Sequence, residues 1–169
     1  MGDKTMLARL IAAFCLFAVA ACATASAADD PVRPNYYVMR HLQKATGDDP
    51  GLTEEGQRNA VLLADLLADD PPSAIYVSST RRARETAAVL ASRLNLTPRT
   101  YDPRDTPALI AAVTAEPGTV LIVGHSNTVP EIVERLGGQR PADLSETDFG
   151  DVWRVFGPDR RVERMRVGE

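Results

Sequence analysis

Two histidines occur in 169 residues, and each directly follows an apolar run that reads as a buried strand: Arg40-His41 after Tyr36 to Met39, and Gly124-His125 after Val120 to Val123. A third apolar run, Ala74 to Val77, leads into Ser78-Ser79-Thr80-Arg81-Arg82, a hydroxyl cluster with two cations. If these strands run parallel, all three ends meet along the sheet edge where such sheets bind ligands. Imidazoles and guanidiniums gathered at a helix N-terminus, expected here to open at His125, suit a dianionic tetrahedral group. Arginine supplies planar paired donors, and the helix supplies backbone N–H groups. The implied ligand is a phosphoryl group. A neutral imidazole in line with phosphorus attacks it and forms a phosphohistidine that water hydrolyses, while the arginines neutralise charge on the equatorial oxygens. That chemistry needs no metal and no cofactor, and its partner is a small phosphorylated substrate.

An alternation of strands and helices must position these residues. Thr53 reads as an N-cap with Glu54 and Glu55 in the first turn, followed by an apolar face of Ala60, Leu63, Leu66 and Leu67. From Arg81, the residues Ala83, Ala87, Leu90 and Leu94 recur at helical spacing until Asn95 ends the segment. Thr106-Pro107 reads as N-cap and first position of a third helix, and a fourth contains Pro130, Ile132, Val133 and Leu136 before Gly137-Gly138. Val152 to Val167, with a Gly157-Pro158-Asp159 turn, reads as a hairpin; Arg160, Arg161, Arg164 and Arg166 fit an edge strand kept soluble by charge. The pattern predicts an α/β fold, a largely parallel sheet covered on both faces with an antiparallel addition at its end.

Composition narrows the function classes. With 44% hydrophobic and 25% charged residues, the chain is neither fibrous, disordered nor a polytopic membrane protein, and a formal charge of −4 argues against a nucleic-acid partner. Lys4 and Arg9 precede an uncharged run from Leu10 to Cys22 and the small residues Ala25-Ser26-Ala27, the pattern of a signal peptide over residues 1–27. The alternative is a lipoprotein leader over residues 1–21, because Val19-Ala20-Ala21-Cys22 resembles a lipobox; membrane contact would then come through lipid on Cys22. A membrane span from Leu10 to Ala28 is disfavoured by its weakly apolar second half. Both cysteines, Cys15 and Cys22, fall in the leader, so a product over residues 28–169 uses no thiol chemistry. Losing Asp3, Lys4 and Arg9, a net +1, leaves that product at −5. One domain, exported to the periplasm or secreted, is expected.

Four segments in order, Val38-Met39-Arg40-His41, Leu52-Thr53-Glu54-Glu55-Gly56, Ser78 through Ala87, and Val123-Gly124-His125-Ser126-Asn127, resemble the histidine phosphatase superfamily, also called phosphoglycerate mutase-like. The resemblance implies a three-layer α/β/α sandwich around a mostly parallel mixed sheet, with His41 as nucleophile, Arg40 and Arg82 as phosphate-binding arginines and His125 as second histidine. Two departures stand out. The family usually has Gly after the nucleophile, where this chain has Leu42. Only 42 residues lie between Arg82 and His125, so the insert that carries an acidic proton donor in some relatives is absent, and the compact form is similar to the short phosphohistidine phosphatase branch. Asp105, and after it Asp102, are candidates for the general acid, although loop acids also form turns. Lys44 and Arg84 are further candidates for phosphate contact.

Rival readings exist. Gly124-His125-Ser126-Asn127-Thr128 looks like a hydrolase nucleophile elbow around Ser126, but Thr128 replaces the closing Gly and no histidine follows His125. A catalytically silent protein that binds a phosphorylated ligand in the same pocket is the alternative from another class.

Overall fold

The structure, a computed structural model, describes residues 34–168; the leader and both its cleavage alternatives lie outside the described residues. Six strands form one sheet in the order β3-β2-β4-β1-β5-β6. The strands are β1 (Tyr36–Arg40), β2 (Ala74–Ser78), β3 (Arg99–Tyr101), β4 (Val120–Gly124), β5 (Asp151–Val155) and β6 (Val162–Arg166). β3, β2, β4 and β1 pair in parallel, while β5 joins β1 and β6 joins β5 antiparallel. Four helices cover this sheet: α1 (Glu54–Leu66), α2 (Arg81–Leu94), α3 (Thr106–Thr114) and α4 (Val129–Arg135).

The two-residue period of the strands builds the three layers. Tyr37, Met39, Ile75, Val77, Leu121 and Val123 face α1 and α2, where Ala60, Leu63, Ala87 and Leu90 pack against them. Tyr36, Val38, Tyr76, Val120 and Ile122 face the other way, onto Leu109 and Val113 of α3 and Val129, Ile132 and Val133 of α4. Each central strand is buried on both faces, which is why all three read as unbroken apolar runs. The hairpin β5–β6 forms one edge; Arg164 and Arg166 of β6 pair with the buried carboxylate of Asp151.

Three local expectations change. β3 has no counterpart in the sequence reading, because Arg99 and Thr100 are exposed, only Tyr101 is partly buried, and the segment lacks an apolar run. The third helix is capped one residue earlier than Thr106: Asp105 is the N-cap, and its carboxylate accepts the Ala108 N–H at 3.0 Å. The fourth helix begins at Val129 rather than at His125. Residues 125–128 form a turn instead, in which the His125 N–H donates to Thr128 Oγ1 at 3.0 Å and the Thr128 N–H returns to the His125 carbonyl at 3.1 Å.

Candidate active site

Register brings the two histidines together. β1 and β4 are neighbours, and Arg40 is paired with Gly124, so His41 and His125 each stand one residue past the same rung of the ladder. The His41 N–H closes that rung on the Gly124 carbonyl at 3.0 Å. Adjacent strands lie about 4.8 Å apart, so side chains leaving one level must meet. The imidazole rings do so edge to face, with centroids 5.4 Å apart. Gly124 makes room for this turn, since a Cβ there would lie 2.8 Å from Thr128 Oγ1.

His41 is 2% exposed. Its Nδ1 lies 2.8 Å from the Leu42 carbonyl. A carbonyl only accepts, so Nδ1 carries the proton and Nε2 keeps its lone pair. Leu42, in the place of the family's usual Gly, turns its side chain fully into the core and leaves its carbonyl for the ring. Burial first, and the charges of Arg40 and Arg82 after it, pull the His41 pKa down to about 4. The same causes bring His125 to about 4. Both rings are therefore neutral at pH 7.

His125 Nε2 lies 2.9 Å from the hydroxyl of Ser78, which ends β2 without any exposed surface and continues to Thr80 Oγ1 at 3.0 Å. Ser78 was noted in the sequence only as part of a hydroxyl cluster, and its tie to His125 follows from β2 lying beside β4.

The arginines enter from different elements. Arg40 is 3% exposed and is gripped by the loop before β5. Its Nη1 donates to the carbonyls of Ser145 at 2.6 Å and Asp148 at 3.3 Å, and its Nη2 donates to the Glu146 carboxylate at 3.1 Å. The Phe149 ring lies 4.3 Å beneath its guanidinium and 6.0 Å from the His41 ring. A guanidinium has five N–H donors. Those contacts use three, and the buried Nε finds no acceptor among the described residues. Arg82, in the first turn of α2, likewise keeps a buried Nε without an acceptor among the described residues, and its Nη1 lies 3.6 Å from Asp49. Two guanidinium groups, each with a buried Nε that has no acceptor among the described residues and both lowering the two imidazole pKa values, suit an oxyanion as ligand.

Neither loop carboxylate nominated as general acid contacts these groups by hydrogen bond. Asp105 caps α3, and Asp102 is held ionised near a pKa of about 2 by Arg104. Arg84 turns back to the Ser79 carbonyl, and the Lys44 backbone bridges to Leu52. Ser126 donates to Glu146 at 3.2 Å rather than to a base. Glu146 and Phe149 were missed in the sequence because they sit in an aperiodic loop.

Over residues 37–105 the chain matches the profile of the histidine phosphatase superfamily (branch 1). No curated protein matches the sequence. Among solved structures, the protein histidine phosphatase SixA complexed with tungstate superposes with a TM-score of 0.61 at 21% identity, covering 78% of this chain and 96% of that one. The SixA protein of Agrobacterium tumefaciens, assigned as a phosphohistidine phosphatase, gives 0.61 at 25% identity over 79% of this chain and 98% of its own. A mycobacterial glucosyl-3-phosphoglycerate phosphatase complexed with VO3 gives 0.62 at 18% identity over 79% and 98% of the two chains. At 18 and 21% identity the likeness is one of fold.

Proposed function

We propose that the chain, which matches the histidine phosphatase superfamily profile over residues 37–105, is a phosphomonoester hydrolase working through a phosphohistidine on His41. The observation that carries this reading is the pair of neutral imidazoles 5.4 Å apart, with one of them offering an unprotonated Nε2. A phosphoryl group held there is attacked by His41 Nε2. The N–P bond forms as the P–O bond to the leaving group breaks, and the departing oxygen collects a proton. Water then attacks phosphorus, the P–N bond returns its electrons to Nε2, and inorganic phosphate leaves. Arg40 and Arg82 neutralise the charge that spreads over the equatorial oxygens, and His125 faces the same group from the adjacent strand. The tungstate and VO3 complexes of the two relatives above support an oxyanion as the ligand class.

The substrate we infer is a small phosphorylated molecule. Export to the periplasm, as a soluble product or as a lipoprotein through Cys22, is part of the proposal and is supported by the N-terminal charge and hydropathy pattern. Mass spectrometry of the mature N-terminus tests it.

Turnover of p-nitrophenyl phosphate by purified protein tests the activity, because that leaving group needs little acid assistance. Wild-type protein is expected to turn over and to yield an acid-labile phosphohistidine on rapid quenching, and His41→Asn to do neither. Vanadate binding without turnover would make the protein a phosphate-ligand binder instead.

A further inference from the structure

Thr86 is fully buried on α2, one helical turn after Arg82, and takes no part in the chemistry above. Its hydroxyl donates to the Arg82 carbonyl at 2.8 Å. That bond fixes the single hydroxyl proton, so the oxygen presents its lone pair outward. The Leu42 N–H donates to that lone pair at 3.0 Å. The contact is not incidental. β1 ends at Arg40, the last rung is the His41 N–H on Gly124, and Leu42 beyond it is entirely buried with no strand to receive its amide. The Leu42 carbonyl in turn holds His41 Nδ1 at 2.8 Å. One hydroxyl therefore joins the peptide that selects the His41 tautomer to the helical turn that carries Arg82.

We propose that Thr86 is a positioning residue for the transfer step: it holds the 42 peptide so that His41 keeps its proton on Nδ1 and its Nε2 aimed at phosphorus, in register with Arg82. This inference rests on the phosphohistidine reading of His41. Replacing the hydroxyl by a methyl leaves a buried N–H unpaired, and the peptide has every reason to rotate toward another acceptor. A misplacement of about 1 Å at a reacting group costs on the order of 10²-fold in rate.

The test compares Thr86→Val, which keeps shape and loses the acceptor, with Thr86→Ser, which keeps the oxygen and loses the methyl. The chain has two histidines, so a long-range 1H–15N spectrum reads both imidazoles directly. In T86V, His41 is expected to lose its single Nδ1–H tautomer while His125 is unchanged, and kcat on p-nitrophenyl phosphate to fall about 10²-fold with a smaller change in KM. T86S is expected to restore both readouts, with kcat within about threefold of wild type. If T86V does not fold, T86C is read in its place, its sulfur being a poor acceptor in a similar volume. A folded T86V or T86C with wild-type tautomer and rate overturns the proposal, as does a T86S as impaired as T86V. Wild-type protein that shows no turnover sinks the phosphatase reading alone, and the His41 tautomer in the variants still decides the role of Thr86.

Discussion

His41 and His125 stand edge to face at 5.4 Å, and burial together with the same two guanidinium groups keeps both neutral far below the ordinary histidine range. NMR titration of the two rings should give midpoints near 4 rather than near 6.5. The stability consequence has a definite sign. A histidine whose pKa is lowered by folding leaves the unfolded chain binding more protons between the two values. Stability is therefore complete above about pH 6.5 and declines as the pH falls toward 4. Urea midpoints at pH 7, 6, 5 and 4 should trace that decline. Midpoints that hold level over this interval would mean that the rings are solvated.

Arg82 and Arg40 should separate activity from stability. Arg82→Ala removes charge from the developing oxyanion and is expected to lower kcat by about 10² to 10³-fold. Its Nη1 makes one long ion pair, to Asp49, so its melting temperature should stay close to wild type. Arg40→Ala loses activity too, but it also releases the carbonyls of Ser145 and Asp148 and the face of Phe149, and is expected to cost about 1–3 kcal/mol of stability. Kinetics and denaturant titration of both variants check the contrast. A loss below about fivefold in Arg82→Ala would remove that residue from the phosphate site.

The pairing of His41 with His125 was readable in the sequence because each follows an apolar strand and two buried parallel strands deliver their ends to one edge. The neighbouring order of β4 and β1 is a tertiary fact, and the one-rung register that brings the rings together depends on it. Side chains that act through loops left no periodic trace. Glu146 and Phe149 reach Arg40 from a segment without apolar spacing, and Thr86 reads as one more small residue on a helix face. The two misjudged helix starts have local causes. Asp105 and Thr106 are both good N-caps side by side, and the longer carboxylate takes the Ala108 amide. Thr128 diverts the His125 N–H into a turn, so α4 opens four residues beyond the histidine.

Asp105 can be assigned by two substitutions. As the N-cap of α3, its carboxylate satisfies the Ala108 N–H. Asp105→Ala should therefore cost about 1 kcal/mol of stability, and Asp105→Asn, still able to cap, only a small part of that. Both should hydrolyse p-nitrophenyl phosphate and an alkyl phosphate with the wild-type ratio of rates. A selective loss on the alkyl ester in Asp105→Asn, with the aryl ester spared, would instead make Asp105 the proton donor, because only a poor leaving group needs one.

Glu146 places a carboxylate on Arg40 Nη2 at 3.1 Å and accepts from Ser126 at 3.2 Å, and its pKa is lowered chiefly by Arg40. Phosphate bound to Arg40 shares that cation with Glu146, so the two anions oppose one another. The carboxylate is largely exposed, so solvent screens the repulsion and limits it to a severalfold effect on affinity. Glu146→Gln removes the charge and keeps an oxygen for Ser126. Inorganic phosphate and vanadate are expected to inhibit it severalfold more strongly than wild type at low salt. The difference should shrink as ionic strength rises, because exposed charges are screened. Unchanged or weaker inhibition would mean that Glu146 holds Arg40 in its binding geometry more than it competes for its charge. Inhibition constants measured at two salt concentrations separate these outcomes.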